Sequence, residues 1–437
     1  MSAQARQYLE HEARALLTRL DRIKPFALSE TMVPAANLVP AAQRAIDRHL
    51  ADGRSLLRGQ VTQFIEALQP LGRGGLRATD AQRRFALLRM RFNATLTQFD
   101  LFADALAQRG DRDHGVWMAG LDALAGDALA LPQAYAAPPI VCYLDRGIGA
   151  AIRRARTRLP GGGRNPVAII RIPRERMVGS GIASSLVHEV GHQAAALLDL
   201  VESLRAALRA RWLAAPDAQR SRWRCWDRWT SEIVADFWSV LRLGVASTAG
   251  VMGVLSLPRP FVLRSVGDDP HPVPWIRVLL SAAIGAALYP DPQWRRLADL
   301  WRTLYPIADA DAATRAHLQH LEAGIGEFVE VLLAHRPARL QGGSLGELAQ
   351  PRALAATALQ RRLSAWRSDP AAMYAAAPCE ACAVIGQARA HGELDPERES
   401  RWMAALLTHW ALRNTLGSAE VRAPPRTSPI PIARPTL

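Results

Sequence analysis

The chain has 437 residues, 49% hydrophobic and 22% charged, enough apolar material for two or three packed domains and too much for a disordered polymer. Its net charge of +14 invites a nucleic-acid role, but the single lysine, Lys24, stands among arginines spread along the whole chain, a bias that reflects a GC-rich genome more readily than a ligand. The most apolar stretches, 243–258 (short, and rich in Gly, Ala and Ser) and 279–289, fall below the roughly 20 residues a membrane span requires, so no transmembrane segment is expected.

Residues 1–21 are polar and helix-like and lack the apolar core of a signal peptide, which makes the cytoplasm the expected location. Apolar residues recur at helical spacing over 41–68 and 81–108, predicting a helical bundle for residues 1–135. Ile140-Val141-Cys142-Tyr143-Leu144 reads as a strand, 149–159 as a helix and 160–163 as a turn. Residues 165–173 read as a second strand bounded by Pro166 and Pro173. Prolines favour a sheet edge, and an edge beside an active site can take a substrate backbone by strand addition; a plain buried strand is the other reading.

Residues 182–212 carry no proline and many Ala and Leu, which predicts one long helix capped by Ser180 or Ser184. Within it, residues 188–192 are His-Glu-Val-Gly-His. Helical geometry projects His188 and His192 from one face about a turn apart, where two imidazoles can grip one metal ion. Glu189 is placed to take a proton from water at that metal. Gly191 is a poor helix residue, by about 1 kcal/mol relative to Ala, and makes sense where another backbone or a substrate approaches closely.

A catalytic zinc takes three protein ligands and leaves one position open. A third His six residues after His192 is one common solution, but that position is Leu198. The better candidate lies in 230–236, where Thr230 is a suitable N-cap and Glu232 and Asp236 share one face of a following helix. Glu232 is the expected third ligand, and Asp236 the acceptor that fixes the tautomer of a ligating His. Just upstream, Trp223, Trp226 and Trp229 alternate with arginines; the spacing reads first as a packed stripe, with a substrate wall and a base-stacking surface as the other readings. Downstream, His271-Pro272-Val273-Pro274-Trp275-Ile276-Arg277 places an arginine six residues after a histidine held between two prolines, where a structural turn stands beside a catalytic role.

His188-Glu189-x-x-His192, then Glu232-x-x-x-Asp236, then His271-Pro272 with Arg277, resembles the gluzincin metallopeptidases, and within them the CAAX prenyl protease and heat-shock membrane peptidase branch. The likeness covers about residues 165–280. It implies zinc held by His188, His192 and Glu232, Glu189 as the catalytic carboxylate, and Asp236, His271 and Arg277 in support. That branch spans membranes and this chain shows no span, so the branch's substrate is not carried over.

The expected fold is therefore mainly α with a small β-sheet (α+β), a zincin-like core over 136–335 flanked by helical regions. Residues 336–351 read as a hinge, 352–417 as a C-terminal helical region, and 418–437, with five prolines, as a disordered tail. The flanking helices are expected to shield the cleft or choose partners. Cys142 and Cys225 read as isolated thiols; Cys379 and Cys382, with His391 and His409 downstream, read as two helical thiols or as a second metal or redox site. The expected activity is zinc-dependent peptide-bond hydrolysis, with Glu189 as general base, one zinc per chain and a peptide or protein as substrate. His271 or Arg277 is the expected stabiliser of the oxyanion. The competing readings are a non-catalytic helical interaction protein built on a vestigial core, which should have lost Glu189 first, and an Arg-rich nucleic-acid binder.

Overall fold

The computed structural model describes residues 1–22, 33–69, 76–147, 149–159, 162–174, 179–265 and 267–422, and among them four long helices precede the first strand. They are α1 (Ala3–Arg22), α2 (Pro40–Ala67), α3 (Ala78–Ala107) and α4 (Arg112–Leu129). Proline opens α2, where its missing N–H leaves no helical bond unmade. The Asp111 carboxylate accepts the Asp113 and His114 N–H groups to start α4. Leu9, Ala13, Leu16 and Leu20 form one buried stripe on α1, which packs on Leu57, Val61 and Phe64 of α2 and Phe85 and Phe92 of α3.

One small mixed sheet follows: β1 (Ile140–Asp145), β2 (Ala151–Arg153) and β3 (Ala168–Pro173), in the order β1-β3-β2. β1 is parallel and β2 antiparallel to β3. One sheet face, with Cys142, Ile170 and Ile172, enters the main core; the other, with Val141 and Ile169, packs on Phe99 and Phe102 of α3. Two expectations are corrected here. Residues 149–159 are not helical: Ile152, Ala155 and Leu159 imitate helical spacing, but β3 offers a free backbone edge, and 151–153 pair with it. Residues 168–173 are therefore the central strand, and the edges are β1 and β2.

The rest is helical: α5 (Gly181–Leu198), α6 (Leu200–Ala214), α7 (Asp217–Leu243), α8 (Val245–Leu255), α9 (Pro274–Leu288), α10 (Gln293–Leu304), α11 (Ala312–Glu322), α12 (Ile325–Ala334), α13 (Ala356–Ser368), α14 (Pro378–Ala390) and α15 (Pro396–Arg422), with short turns of helix between. The fold is thus mainly α with a small sheet. The helix expected over 182–212 breaks at Asp199, which adopts the left-handed conformation (φ 55°) that aspartate tolerates better than most residues. Ser180 stands at the N-cap position but makes no side-chain cap; its N–H and hydroxyl both donate to Glu399 at the start of α15.

Thr230 caps nothing. It lies inside α7, which begins after Pro216 and runs without Gly or Pro to Gly244 (φ 56°), and its hydroxyl donates back to the Trp226 carbonyl. Trp223, Trp226 and Trp229 are buried, and Trp226 stacks on Phe328. The stripe is packing, and its rings offer no base-stacking surface. Residues 336–351 are packed as well: Leu345 is fully buried and its N–H donates to the His335 carbonyl. The main core takes in α4 and α13 to α15 together with the sheet and α5 to α12, so it runs across the lines drawn at 135 and 335. α15 continues to Arg422, into the segment expected to be disordered, because 418–422 hold no proline. No helix among the described residues is long and apolar enough to cross a membrane.

Candidate metal centre

α5 and α7 pack antiparallel, and their register builds the site. Going along α5 and back along α7, Ser239 donates to the Ser184 carbonyl, His188 meets Asp236, Gly191 meets Ala235, and His192 meets Ser231. A Cβ on Gly191 would lie 2.8 Å from both Cα and the carbonyl oxygen of Ala235 and 3.0 Å from Cβ of Trp238. Only glycine allows the helices to come this close, so the close-approach expectation is met by a backbone.

That approach brings together the residues expected from the two motifs. One ligand atom each from His188, His192 and Glu232 lies within 4.8 Å of the others. His188 Nε2 is 3.3 Å from Glu232 Oε2, and His192 Nε2 is 3.5 Å from Glu232 Oε1. Donors arranged tetrahedrally at about 2.1 Å from a single ion sit about 3.4 Å apart, so the donor set fits one metal ion. The His188 Nδ1–H donates to Asp236 Oδ1 at 2.8 Å, which leaves Nε2 as the donor toward the site. Arg277, from the first turn of α9, grips Asp236 with two bonds, Nε to Oδ2 at 2.6 Å and Nη2 to Oδ1 at 2.9 Å. Its Nη2 also lies 3.6 Å from Glu232 Oε2. Arg277 thus orders the carboxylate that orders His188.

His271 reaches the same place from the loop before α9. Its ring is half exposed, with Nε2 3.5 Å from Glu232 Oε2 and Nδ1 donating to Asp269 at 2.7 Å. Asp269 also accepts the His271 N–H, so the rigid turn and the presentation of the ring to the site are one structure. Glu189 lines the same cleft, as does Ile152 of β2. The cleft holds about 510 Å³; besides the charged groups, Ala150, Ser184, Ser185, Val251, Val254 and Leu255 line it.

The electrostatics follow from burial and opposed charges. Burial alone would push His188 down, but Asp236, with help from Glu232, holds the ring up to about 9. Burial and the charge of His188 push His192 down to about 4. Burial would raise Glu232; the bond and charge of His188, with His192 and Arg277, bring it down to about 2. Asp236 is likewise driven below the usual carboxylate range, against burial, by Arg277 and His188. Burial pushes the Glu189 carboxyl up; His188 opposes this and Glu232 reinforces it. A carboxylate raised in this way is better matched to accept a proton near neutral pH than an ordinary surface glutamate.

All seven residues singled out from the sequence, His188, Glu189, His192, Glu232, Asp236, His271 and Arg277, therefore line one cleft. Three contributors were missed. Asp269 is signalled by its position two before His271, the spacing of an Asp-centred turn. Ser231, whose hydroxyl lies 3.4 Å from His192 Nδ1, directly precedes Glu232. Ile152 carries no signal, since a three-residue strand has too little pattern to read. The CxxC pair supplies no second centre among the described residues: Cys379 and Cys382 are buried on α14, burial holds both thiols well above their ordinary values, His391 bonds to Gln360 and Gln387, and His409 packs on Tyr374. No protein-family model, curated protein or solved structure matches the chain.

Proposed function

We propose that the protein is a zinc-dependent metallopeptidase of gluzincin type. One observation carries this: two imidazoles and a carboxylate, on two antiparallel helices, converge with donor separations suited to one ion, in an open cleft that also receives a buried glutamate. The mixed nitrogen and oxygen donors favour zinc among the available divalent ions. Zinc held there supplies Lewis acidity toward water and toward a peptide carbonyl. Glu189 takes the proton from the attacking water and later delivers it to the leaving amine. Asp236 and Arg277 keep His188 in the ligating tautomer. His271, half exposed at the mouth and anchored through Nδ1 by Asp269, is positioned to stabilise the oxyanion that develops on the substrate when its ring is the doubly protonated imidazolium, with Nε2–H turned to the site.

The test is metal content together with hydrolysis. Protein purified without added metal should carry about one zinc per chain, and His188→Ala/His192→Ala should carry none. Glu189→Gln should keep its zinc and lose cleavage of a mixed-sequence peptide library read by mass spectrometry. A Glu189→Gln variant that cleaves as fast as the native chain would remove the general-base assignment. A native chain that takes up no zinc would remove the whole reading.

A further inference from the structure

β2 is an edge strand, and it borders the catalytic machinery, since Ile152 lines the cleft together with Glu189. Side chains on a strand alternate between faces. Ile152 lies across from Ile170, in the row of Cys142, on the face that meets the main core. Its neighbours point the other way. Ala151 is in register with Arg171, and that residue with Tyr143; Arg153 is in register with Ile169. On that second face lies a separate concavity of about 460 Å³, lined among others by Tyr143, Arg153, Arg154, Thr157 and Arg171. Ala151, Ile152 and Arg154 line both it and the catalytic cleft.

This second face is rich in unmatched positive charge. Arg171 meets Asp145 only at 3.8 Å, and its buried Nε has no partner. Neither Arg153 nor Arg154, both exposed, forms an ion pair among the described residues. Asp104 is the other carboxylate whose charge reaches Tyr143 on this face.

We propose that β2 receives the substrate as an added strand and selects peptides with acidic side chains, through Arg153, Arg154 and Arg171. This rests on the peptidase reading and adds a substrate class to it. An extended peptide added to β2 sends alternate side chains to opposite faces. One set enters the cleft of Glu189, Val251, Val254 and Leu255; the other meets the three guanidinium groups, which match carboxylates in both charge and planar geometry. Glutamate or aspartate is accepted at these second-face positions, and lysine or arginine is repelled.

The experiment uses the zinc-loaded full chain and quenched fluorescent peptides carrying Glu or Lys at each position in turn. The expected result is a kcat/KM about tenfold higher for Glu than for Lys at alternate positions only, carried mainly by KM. Arg153→Glu/Arg154→Glu, with melting checked, should erase or invert that ratio. Arg361→Glu/Arg413→Glu, which changes net charge equally on other helices, should leave it intact. Cleavage with no positional preference, or with a ratio that ignores the β2 reversal, overturns the inference and leaves the peptidase intact. If no peptide is cleaved, the peptidase reading falls, and anisotropy binding of the same peptides to Glu189→Gln protein decides: tighter binding of Glu peptides, lost in the β2 reversal, upholds the acidic-peptide surface. Equal binding, or displacement of all peptides alike by a single-stranded oligonucleotide, overturns it.

Discussion

One methyl group at Gly191 tests whether the contact between α5 and α7 sets the metal centre. In Gly191→Ala the new Cβ would sit 2.8 Å from two backbone atoms of Ala235, whereas ordinary carbon contacts begin near 3.4 Å. A backbone cannot rotate away as a side chain can, so the helices must part by about half an ångström. Overpacking of this kind costs about 1–3 kcal/mol, and the better helix propensity of Ala returns about 1 kcal/mol, leaving a net loss of up to about 2 kcal/mol. The displacement also moves Glu232 away from His188 and His192, because the three ligands are divided between the parted helices. Disturbing the support of a metal ligand typically weakens binding about 10- to 100-fold. Chemical denaturation reads the first effect and zinc titration against a chelating dye the second. A Gly191→Ala protein as stable as the native one and with unchanged zinc affinity would refute the idea that this contact fixes the ligand geometry.

The remaining expectations concern charges and caps. Glu232→Ala should abolish stoichiometric zinc, while Asp236→Ala should weaken zinc by about 10- to 100-fold without abolishing it, as read by the same dye titration; equal loss in both would place Asp236 among the ligands. In the metal-free protein His188 is held up at about 9 and His192 down at about 4, so between pH 6 and 8 one imidazole proton must leave as the metal binds. Zinc affinity should therefore rise about tenfold per pH unit across that range, since one proton competes with one ion; isothermal titration in buffers of different ionisation enthalpy should find about one proton released at pH 6, and a flat profile would contradict the His188 assignment. Glu399→Ala leaves the buried Ser180 N–H at the head of α5 without its acceptor and should cost about 1–3 kcal/mol in denaturation; no measurable loss would mean that this tie does not hold the C-terminal helix to α5.

Much of the site was legible because helical spacing is a local property. His188 with His192, and Glu232 with Asp236, each stand four residues apart, and any α-helix puts such pairs on one face whatever surrounds it. The absence of Pro and Gly through 217–243 also marks α7, yet the polar N-cap character of Thr230 misplaced its start. Propensity near a residue cannot show whether a hydroxyl caps a helix or bonds back within one, as Thr230 does to Trp226. The turn at Asp199 was hidden for a related reason, since an aspartate in the left-handed region has no distinct pattern around it.

What the sequence by itself determined is the chemistry on each helix: which side chains share a face, which could bind a metal, and which segments are apolar enough to be buried. Tertiary structure decided how these faces meet. The register of α5 on α7, set by Gly191 against Ala235, carries Glu232 to the two histidines across some forty residues of chain. The order β1-β3-β2 makes β2 an edge, and its register on β3 turns Arg153 and Arg171 to one face. Both depend on which backbone offers a partner to which, and that is settled by packing between segments distant in sequence, where no local period reports it.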